Sequence, residues 1–289
     1  MDITRFVYWA LFGALSLVGY STSAYSNQHA ESAAAAKTVL ITGSNRGIGL
    51  EFARQYAEAG WQVVATCRSP AQATDLQAIA AAYPNLSIEP LDVTNAGSIE
   101  RLAAKFGAAP LHLLINNAAL LGPRNDQAFN AQDYELAALQ YQVNALGPLR
   151  VIDAFIDNVR ASGPGKLITL GSAAGSHGSL KGPPDFYSYR ASKAAMHFMM
   201  HNLARELVDE GIVVGLINPG LVDTRGLTGL GPDDDVPDDF KQIVNLINAG
   251  VIELTQPEES VRGMLTLIDE LTLEQSGVFL NFDGQVIPW

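Results

Sequence analysis

The chain has 289 residues, 48% of them hydrophobic, and a formal net charge of −12. That composition supports a sizeable core, and with no basic cluster it argues against nucleic acid or an anionic membrane surface as the main partner. The single cysteine, Cys67, excludes an intrachain disulfide and a metal centre built from cysteines.

Residues 1–36 stand apart from the rest. Arg5 precedes the uncharged stretch FVYWALFGALSLVGY, residues 6–20, and small polar residues follow. This order is that of a secretory signal. The apolar run of 15 residues is shorter than the roughly 20 a spanning helix needs. The segment is therefore expected to be a signal peptide that exports the protein, or an anchor attaching it to a membrane through residues 6–20. In either case it lies outside the fold.

From Lys37 onward, seven β-branched or apolar runs recur in chain order: KTVLIT, WQVVAT, LSIEPL, LHLLIN, KLITLG, IVVGLI and VFLNF. Helical patterns fall near 47–59, 71–82, 96–106, 130–160, 187–210 and 257–271. Several of the runs are too continuously apolar to have a solvated face, which points to parallel strands covered on both sides. The alternation predicts a single α/β domain, residues 37–289, with a doubly wound seven-stranded parallel sheet and helices on both faces. Residues 219–256 break the alternation and read as a long loop acting as a substrate lid. Five aspartates between 233 and 239 lack the glycine and glutamate of an EF-hand and read as a solvated charge run.

The first strand runs into TGSNRGIG, residues 42–49. Three glycines between a strand and a helix can serve a plain turn, or can bring backbone N–H groups and a helix N-terminus to a pyrophosphate. The spacing here is G-x-x-x-G-x-G rather than G-x-G-x-x-G. An acid about 20 residues later would bind the ribose 2′-hydroxyl of NAD, but Cys67 and Arg68 stand there, and Arg46 adds a second cation. Guanidinium groups pair with a 2′-phosphate, so NADPH is favoured over NADH.

Tyr189 and Lys193 lie four apart on one helix face. A phenol titrates near about 10, and acid–base work at neutral pH calls for a neighbouring positive charge. His197 and His201 have a spacing that can hold a metal, but no third ligand accompanies them and no metal is expected. Met196, Met199 and Met200 read as packing residues.

Six motifs then occur in order: TGSNRGIG, DVT at 92–94, NNAA at 116–119, GSAAG at 171–175, YRASK at 189–193 and NPGLVDT at 218–224. On these the chain resembles the classical short-chain dehydrogenase/reductase family over nearly all of residues 37–289. The segments ATCRSP and FLNFDGQVIPW resemble most the C-factor-like carbonyl reductase branch. The resemblance implies a Rossmann-type NADPH-dependent reductase of aldehydes or ketones. Tyr189 would be the general acid or base, and Lys193 would lower its pKa and bind the nicotinamide ribose. Ser172 would donate to the substrate oxygen, and Asn144 would hold a water of the proton relay. Cofactor contacts would come from Gly43, Asn45, Arg46, Gly47, Ile48, Gly49, Arg68, Asp92, Val93, Asn117, Val222 and Thr224, besides Tyr189 and Lys193.

Two departures stand out. Ser172 lies 17 residues before Tyr189, a wider gap than the family's, and Ser176 is nearer the usual spacing. Ser172 is preferred because it ends the predicted strand, which makes SHGSLKGPPDFYS an insertion beside the site. Ala119 replaces the glycine of the family's motif. Leu221, Leu227, Leu230, Phe240 and Ile243 of the lid, opposite Phe186 and Tyr187, would give the pocket apolar walls and a preference for hydrophobic carbonyls. A nucleotide-bound signalling or regulatory protein with little turnover is the competing reading, and a homo-oligomer is left open.

Overall fold

A computed structural model describes residues 36–180, 184–231, 234, 236 and 238–289. The expected leader lies outside the described residues, apart from Ala36. No helix among those described is long and apolar enough to cross a membrane.

Residues Ala36–Trp289 form one compact unit. Its strands are β1 (Thr38–Ile41), β2 (Gln62–Cys67), β3 (Leu86–Pro90), β4 (Leu113–Asn116), β5 (Lys166–Leu170), β6 (Val213–Asn218) and β7 (Phe279–Asn281). Between them run α1 (Gly47–Glu58), α2 (Thr74–Ala82), α3 (Ala96–Phe106), α4 (Tyr134–Tyr141), α5 (Gly147–Ala161), α6 (Tyr187–Leu207), α7 (Asp238–Asn248) and α8 (Pro257–Glu270). The sheet is wholly parallel, in the order β3-β2-β1-β4-β5-β6-β7. The chain winds outward from β1 to β3, then returns to lay β4 against β1 and winds the other way. That reversal opens a crevice above the carboxyl ends of β1 and β4, where doubly wound sheets bind ligands. Leu40 pairs with Leu114 and Ile41 with Ile115, so these two strand ends stand level.

All four residues of β4 and all six of β6 are buried, as expected of strands covered on both faces. One core layer joins Ile41, Phe52, Ile115 and Met264; the other joins Leu40, Leu114, Phe155, Met196 and Met200. Burying a side chain such as Phe52 or Phe155 is worth about 1.5–3 kcal/mol, which is what pins α1 and α5 to opposite faces.

Two elements differ from the sequence reading. The single helix expected over 130–160 is two, α4 and α5, joined by a π-helical turn at Gln142–Leu146. Pro148 lacks the N–H that would close an α-helical bond to the Asn144 carbonyl, so the regular ladder cannot pass this point. The lid is not one long loop either, because α7 occupies its second half. That helix runs from Asp238 to Asn248. Phe240, Val244 and Ile247 recur at helical spacing. Val244 is buried with Leu227 and Val236 in a small apolar cluster of the lid's own.

Candidate active site

The glycine loop leaves β1 through backbone shapes that side chains resist. Gly43 and Gly47 have φ of +70° and +56°. A Cβ on Gly43 would lie 2.9 Å from the Ala118 Cα, and one on Gly49 would lie 2.3 Å from the Gly43 carbonyl oxygen. Only hydrogen atoms let α1 dock this closely on the loop. No side chain caps the N-terminus of α1, and no acid sits in its first turn. Its leading N–H groups and dipole are therefore left for an anion. Asn45, Arg46 and Arg68 are exposed, and neither arginine is ion-paired among the described residues. These features fit the phosphates of a dinucleotide. Ile48 packs onto the core beneath the loop.

Neighbouring segments brace the loop. Asn117 donates from its amide to the carbonyls of Thr42 at 2.8 Å and Gly43 at 2.9 Å. The Thr42 hydroxyl accepts from the N–H groups of Asn117 and Ala118. Asn117 thus spends its amide donors on shaping the glycine turn. Asp92 accepts from the Thr94 N–H at 2.9 Å and hydroxyl at 2.7 Å, which fixes the turn after β3. Val93 is buried against Gly147, where a Cβ would come within 2.9 Å of it. On the other side of the crevice Val222 bridges to Thr255. Thr224 reaches the glycine loop, its Cγ2 lying 3.0 Å from where a Gly47 Cβ would be. Two loops far apart in sequence therefore close on one place.

The serine turn and the tyrosine helix face this crevice. Ser172 follows β5 and begins a short 3-10 turn, Ala173–Gly175. The turn lies flat on α6 because Gly175 has no side chain; a Cβ there would be 2.7 Å from the Lys193 Cβ. Burial pushes the Tyr189 phenol above its ordinary pKa, and a hydrogen bond from the Ser172 side chain opposes that push. Ser172 and Tyr189 are thus brought together. Ser176 is not part of this pair. It is buried, its hydroxyl donates to the Pro288 carbonyl, and it accepts from the Ser179 N–H at 2.9 Å.

Lys193 is buried, and its Nζ donates to the Leu170 carbonyl at 2.8 Å. Desolvation lowers its own pKa to about 8. Burial outweighs the Ser172 bond and leaves the phenol above its ordinary value, while the Lys193 ammonium is bonded to a backbone carbonyl. Asn144, in the π-helical turn, accepts from the Leu120 N–H at 2.7 Å and donates to the Leu120 carbonyl and the Ser192 hydroxyl, each at 2.9 Å. Its side chain is a clamp between the segment after β4 and α6, so a relay water would have to use its backbone carbonyl.

Some residues that shape the site escaped the sequence reading. α6 is preceded by Phe186, which has a left-handed φ of +53° and whose side chain caps nothing. The missing cap comes from Gln127, whose Oε1 accepts from the Tyr189 N–H at 3.1 Å and the Ser188 hydroxyl at 3.2 Å. Its amide donates to the carbonyls of Leu121 and Pro123. Asp185 pairs with Arg124 at 2.6 Å and Arg190 at 3.0 Å, tying the same two segments. In the lid, buried Asp223 accepts from the N–H groups of Leu227 at 2.8 Å and Thr228 at 2.7 Å. Burial raises its pKa, but the bonds from Thr228, Leu227 and Arg225 outweigh this and hold it below the usual range. None of these has a local signature: Gln127 and Asp223 act on backbone groups by position, and Asp185 joins arginines of two different segments.

The apolar wall differs from expectation. Leu227 and Leu230 are consumed by the lid's own cluster. Leu221 and Tyr187 stand exposed, and the Tyr187 ring lies 6.5 Å from that of Phe129, a partner the sequence did not suggest. Side chains of Phe240 and Ile243 lie outside the described residues. His197 and His201 face the rings of Phe279 and Trp289 rather than a third ligand. Among the described residues no group of three or more potential metal ligands occurs.

Residues 37–235 match the family model described as short chain dehydrogenase. An uncharacterized oxidoreductase of Schizosaccharomyces pombe is 32% identical over 267 residues, spanning 88% of this chain and 98% of its own. C-signal of Myxococcus xanthus is 35% identical over 189 residues, 65% of this chain and 98% of that protein. The crystal structure of an NADPH-bound carbonyl reductase from chicken fatty liver, 31% identical, superposes with a TM-score of 0.73 over 88% of this chain and 99% of its own. With the family match covering both the glycine loop and the tyrosine helix, and the relatives alike over nearly their full lengths, this chain belongs to the short-chain dehydrogenase family of oxidoreductases.

Proposed function

We propose that the protein reduces an aldehyde or ketone at the expense of NADPH, with Tyr189 as the general acid. The observation that carries this reading is that Ser172 acts on the Tyr189 phenol, one helical turn from the buried Lys193. The likeness to an NADPH-bound carbonyl reductase supports it, as do the exposed Arg46 and Arg68. Bound NADPH would supply the hydride, which becomes the new C–H bond of the alcohol.

The chain's part is orientation and a proton. Gly43, Gly47 and Gly49 with the α1 N-terminus would seat the pyrophosphate, and Val222 and Thr224 would border the nicotinamide. Ser172 would donate a hydrogen bond to the carbonyl oxygen, where negative charge develops. Tyr189 would give its hydroxyl proton to that same oxygen. A phenol held above its ordinary pKa is protonated throughout the neutral range, which suits the reductive direction. Alcohol oxidation would need the phenolate and should strengthen only toward alkaline pH. The exposed Tyr187, Phe129 and Leu221 favour carbonyls with an apolar or aromatic substituent.

NADPH consumption against a panel of carbonyls tests this reading, and hydrophobic aldehydes or ketones should be turned over ahead of sugars and charged acids. The likeness to C-signal carries a second reading, a nucleotide-bound regulator, which predicts NADPH binding with no turnover on any carbonyl. For residues 1–36 we propose a leader that exports or anchors the chain. Protease accessibility of a fusion reporter in intact cells separates those two outcomes from an internal location.

A further inference from the structure

Ser172 stands at the point where β5 stops. The N–H of Gly171 still bonds to the Ile217 carbonyl at 2.8 Å, but the next two N–H groups leave the strand ladder. That of Ala173 goes to the Asn218 side chain at 3.1 Å, and that of Ser172 goes to Nε2 of His197 at 3.2 Å. His197 follows Lys193 by one turn on the same face of α6. Its approach depends on Gly171, where a Cβ would lie 3.0 Å from Nε2 and 2.5 Å from the Phe279 ring. The imidazole is 2% exposed and its ring centre lies 4.4 Å from that of Phe279.

Because Nε2 accepts, the ring hydrogen belongs on Nδ1. That nitrogen is buried with no hydrogen-bond partner among the described residues. Burial first, then the Lys193 ammonium, push the imidazole pKa down to about 3; the Gly175 backbone opposes the push without making a complete hydrogen bond to Nδ1. Nε2 therefore keeps its lone pair at any working pH. A histidine that only filled space here would be outdone by phenylalanine, which packs on Phe279 without stranding a polar nitrogen.

We propose that His197 is a positioning residue: its Nε2 holds the Ser172 backbone and so sets where the serine hydroxyl stands relative to Tyr189 and to the oxygen of the substrate. This rests on the carbonyl-reducing reading for its consequence in catalysis, though the contact itself can be read without turnover. His197→Phe keeps a ring and removes the acceptor, whereas His197→Gln removes the ring and keeps an acceptor of similar reach.

The test measures steady-state reduction, NADPH affinity and amide hydrogen exchange at Ser172 in the full chain and both variants. For His197→Phe we expect kcat to fall by about tenfold to a hundredfold, with NADPH affinity within about twofold, because a displaced donor is nearly as costly as a missing one. Ser172 exchange should quicken in the same variant, and His197→Gln should recover both readings to within about threefold. Unchanged Ser172 exchange in His197→Phe overturns the proposal, as does a glutamine variant that behaves like phenylalanine in both readings. If the wild-type chain reduces no carbonyl, the functional reading fails and the exchange data alone decide whether His197 holds Ser172. Should His197→Phe not fold, nitrogen NMR of the wild type decides: a ring that titrates between about pH 5 and 8, or that carries its hydrogen on Nε2, overturns the assignment.

Discussion

The two walls of the crevice are held by different means. On the β1 side the glycine loop takes its shape from backbone geometry, with two positive φ values and three places where any Cβ would intrude. On the β5 side the serine turn and the start of α6 take theirs from buried side chains that reach across the fold: Gln127 and His197 to backbone N–H groups, and Asn144 to the Ser192 hydroxyl. A wall made of backbone shape should fail by losing its ligand. A wall made of polar tethers should fail by losing its alignment while still binding.

Tyr189→Phe is the strongest break of that pattern and should have the largest effect. It removes the hydroxyl proposed as the proton donor and nothing that touches the glycine loop, so kcat should drop by about a hundredfold to ten-thousandfold. NADPH affinity, read by fluorescence titration, should change by less than about twofold. Equal loss of both would mean that the phenol serves packing, and the tethered wall would then carry no chemistry.

Gly49→Ala addresses the opposite wall. The new methyl would meet the Gly43 carbonyl of the turn at 2.3 Å and the Asn117 amide that braces it at 2.4 Å. Neither can retreat without opening the loop, and overpacking of this kind costs about 1–3 kcal/mol. The expected result is a rise in the NADPH dissociation constant of about tenfold or more, with kcat at saturating NADPH within about threefold. A variant that lost kcat and kept affinity would erase the distinction between the walls.

The same distinction explains what could be read from residue order. Strands such as LLIN and VVGLIN announce themselves because burial on both faces leaves no polar position, and the glycine loop is legible because its determinants are contiguous. Tyr189 and Lys193 are legible because one helix turn carries both. Gln127 is not: it caps a helix that begins 60 residues later, and nothing near it differs from an ordinary polar loop. His197 was noticed for its distance from His201, but its partner is a backbone N–H that no pattern of side chains reveals. Pro148 marks the break between α4 and α5 inside a long periodic run, and the helical spacing of α7 sits among a string of turn residues that masks it.

Lys193→Met sharpens the comparison from the side of stability. Folding buries the ammonium, and its pKa falls from 10.5 to about 8. At neutral pH that burial opposes folding by about 3 kcal/mol, offset in part by the bond to the Leu170 carbonyl, worth about 1 kcal/mol. Methionine should therefore raise stability at pH 7 by about 1–2 kcal/mol in urea denaturation while turnover falls sharply. The sign follows from proton counts. Between about pH 8 and 10.5 the unfolded chain holds a proton that the folded chain has lost, so the wild type gains stability as pH rises through that window. Above it the advantage of methionine should vanish, and a variant less stable than the wild type at pH 7 would mean that the bond to Leu170 outweighs the burial.

The smallest effect belongs to Arg68→Asp. The guanidinium is exposed and unpaired among the described residues, so the substitution should leave folding unchanged to within about 0.5 kcal/mol. Its consequence lies in charge alone. Arg68 follows Cys67 at the end of β2, on the backbone-shaped wall, where a 2′-phosphate would gain a charge-assisted bond from arginine and meet repulsion from aspartate. Solvent screens both, and the ratio of kcat/KM for NADPH over NADH should shift by about tenfold toward NADH rather than by the larger factors a buried pair would give. With Arg46 still present at the head of α1, some preference for NADPH should survive, and Arg46→Ala in the same background should remove it. A ratio that stays fixed in both variants would take the 2′-phosphate away from these cations while leaving the pyrophosphate cradle, which owes nothing to side-chain charge, as it stands.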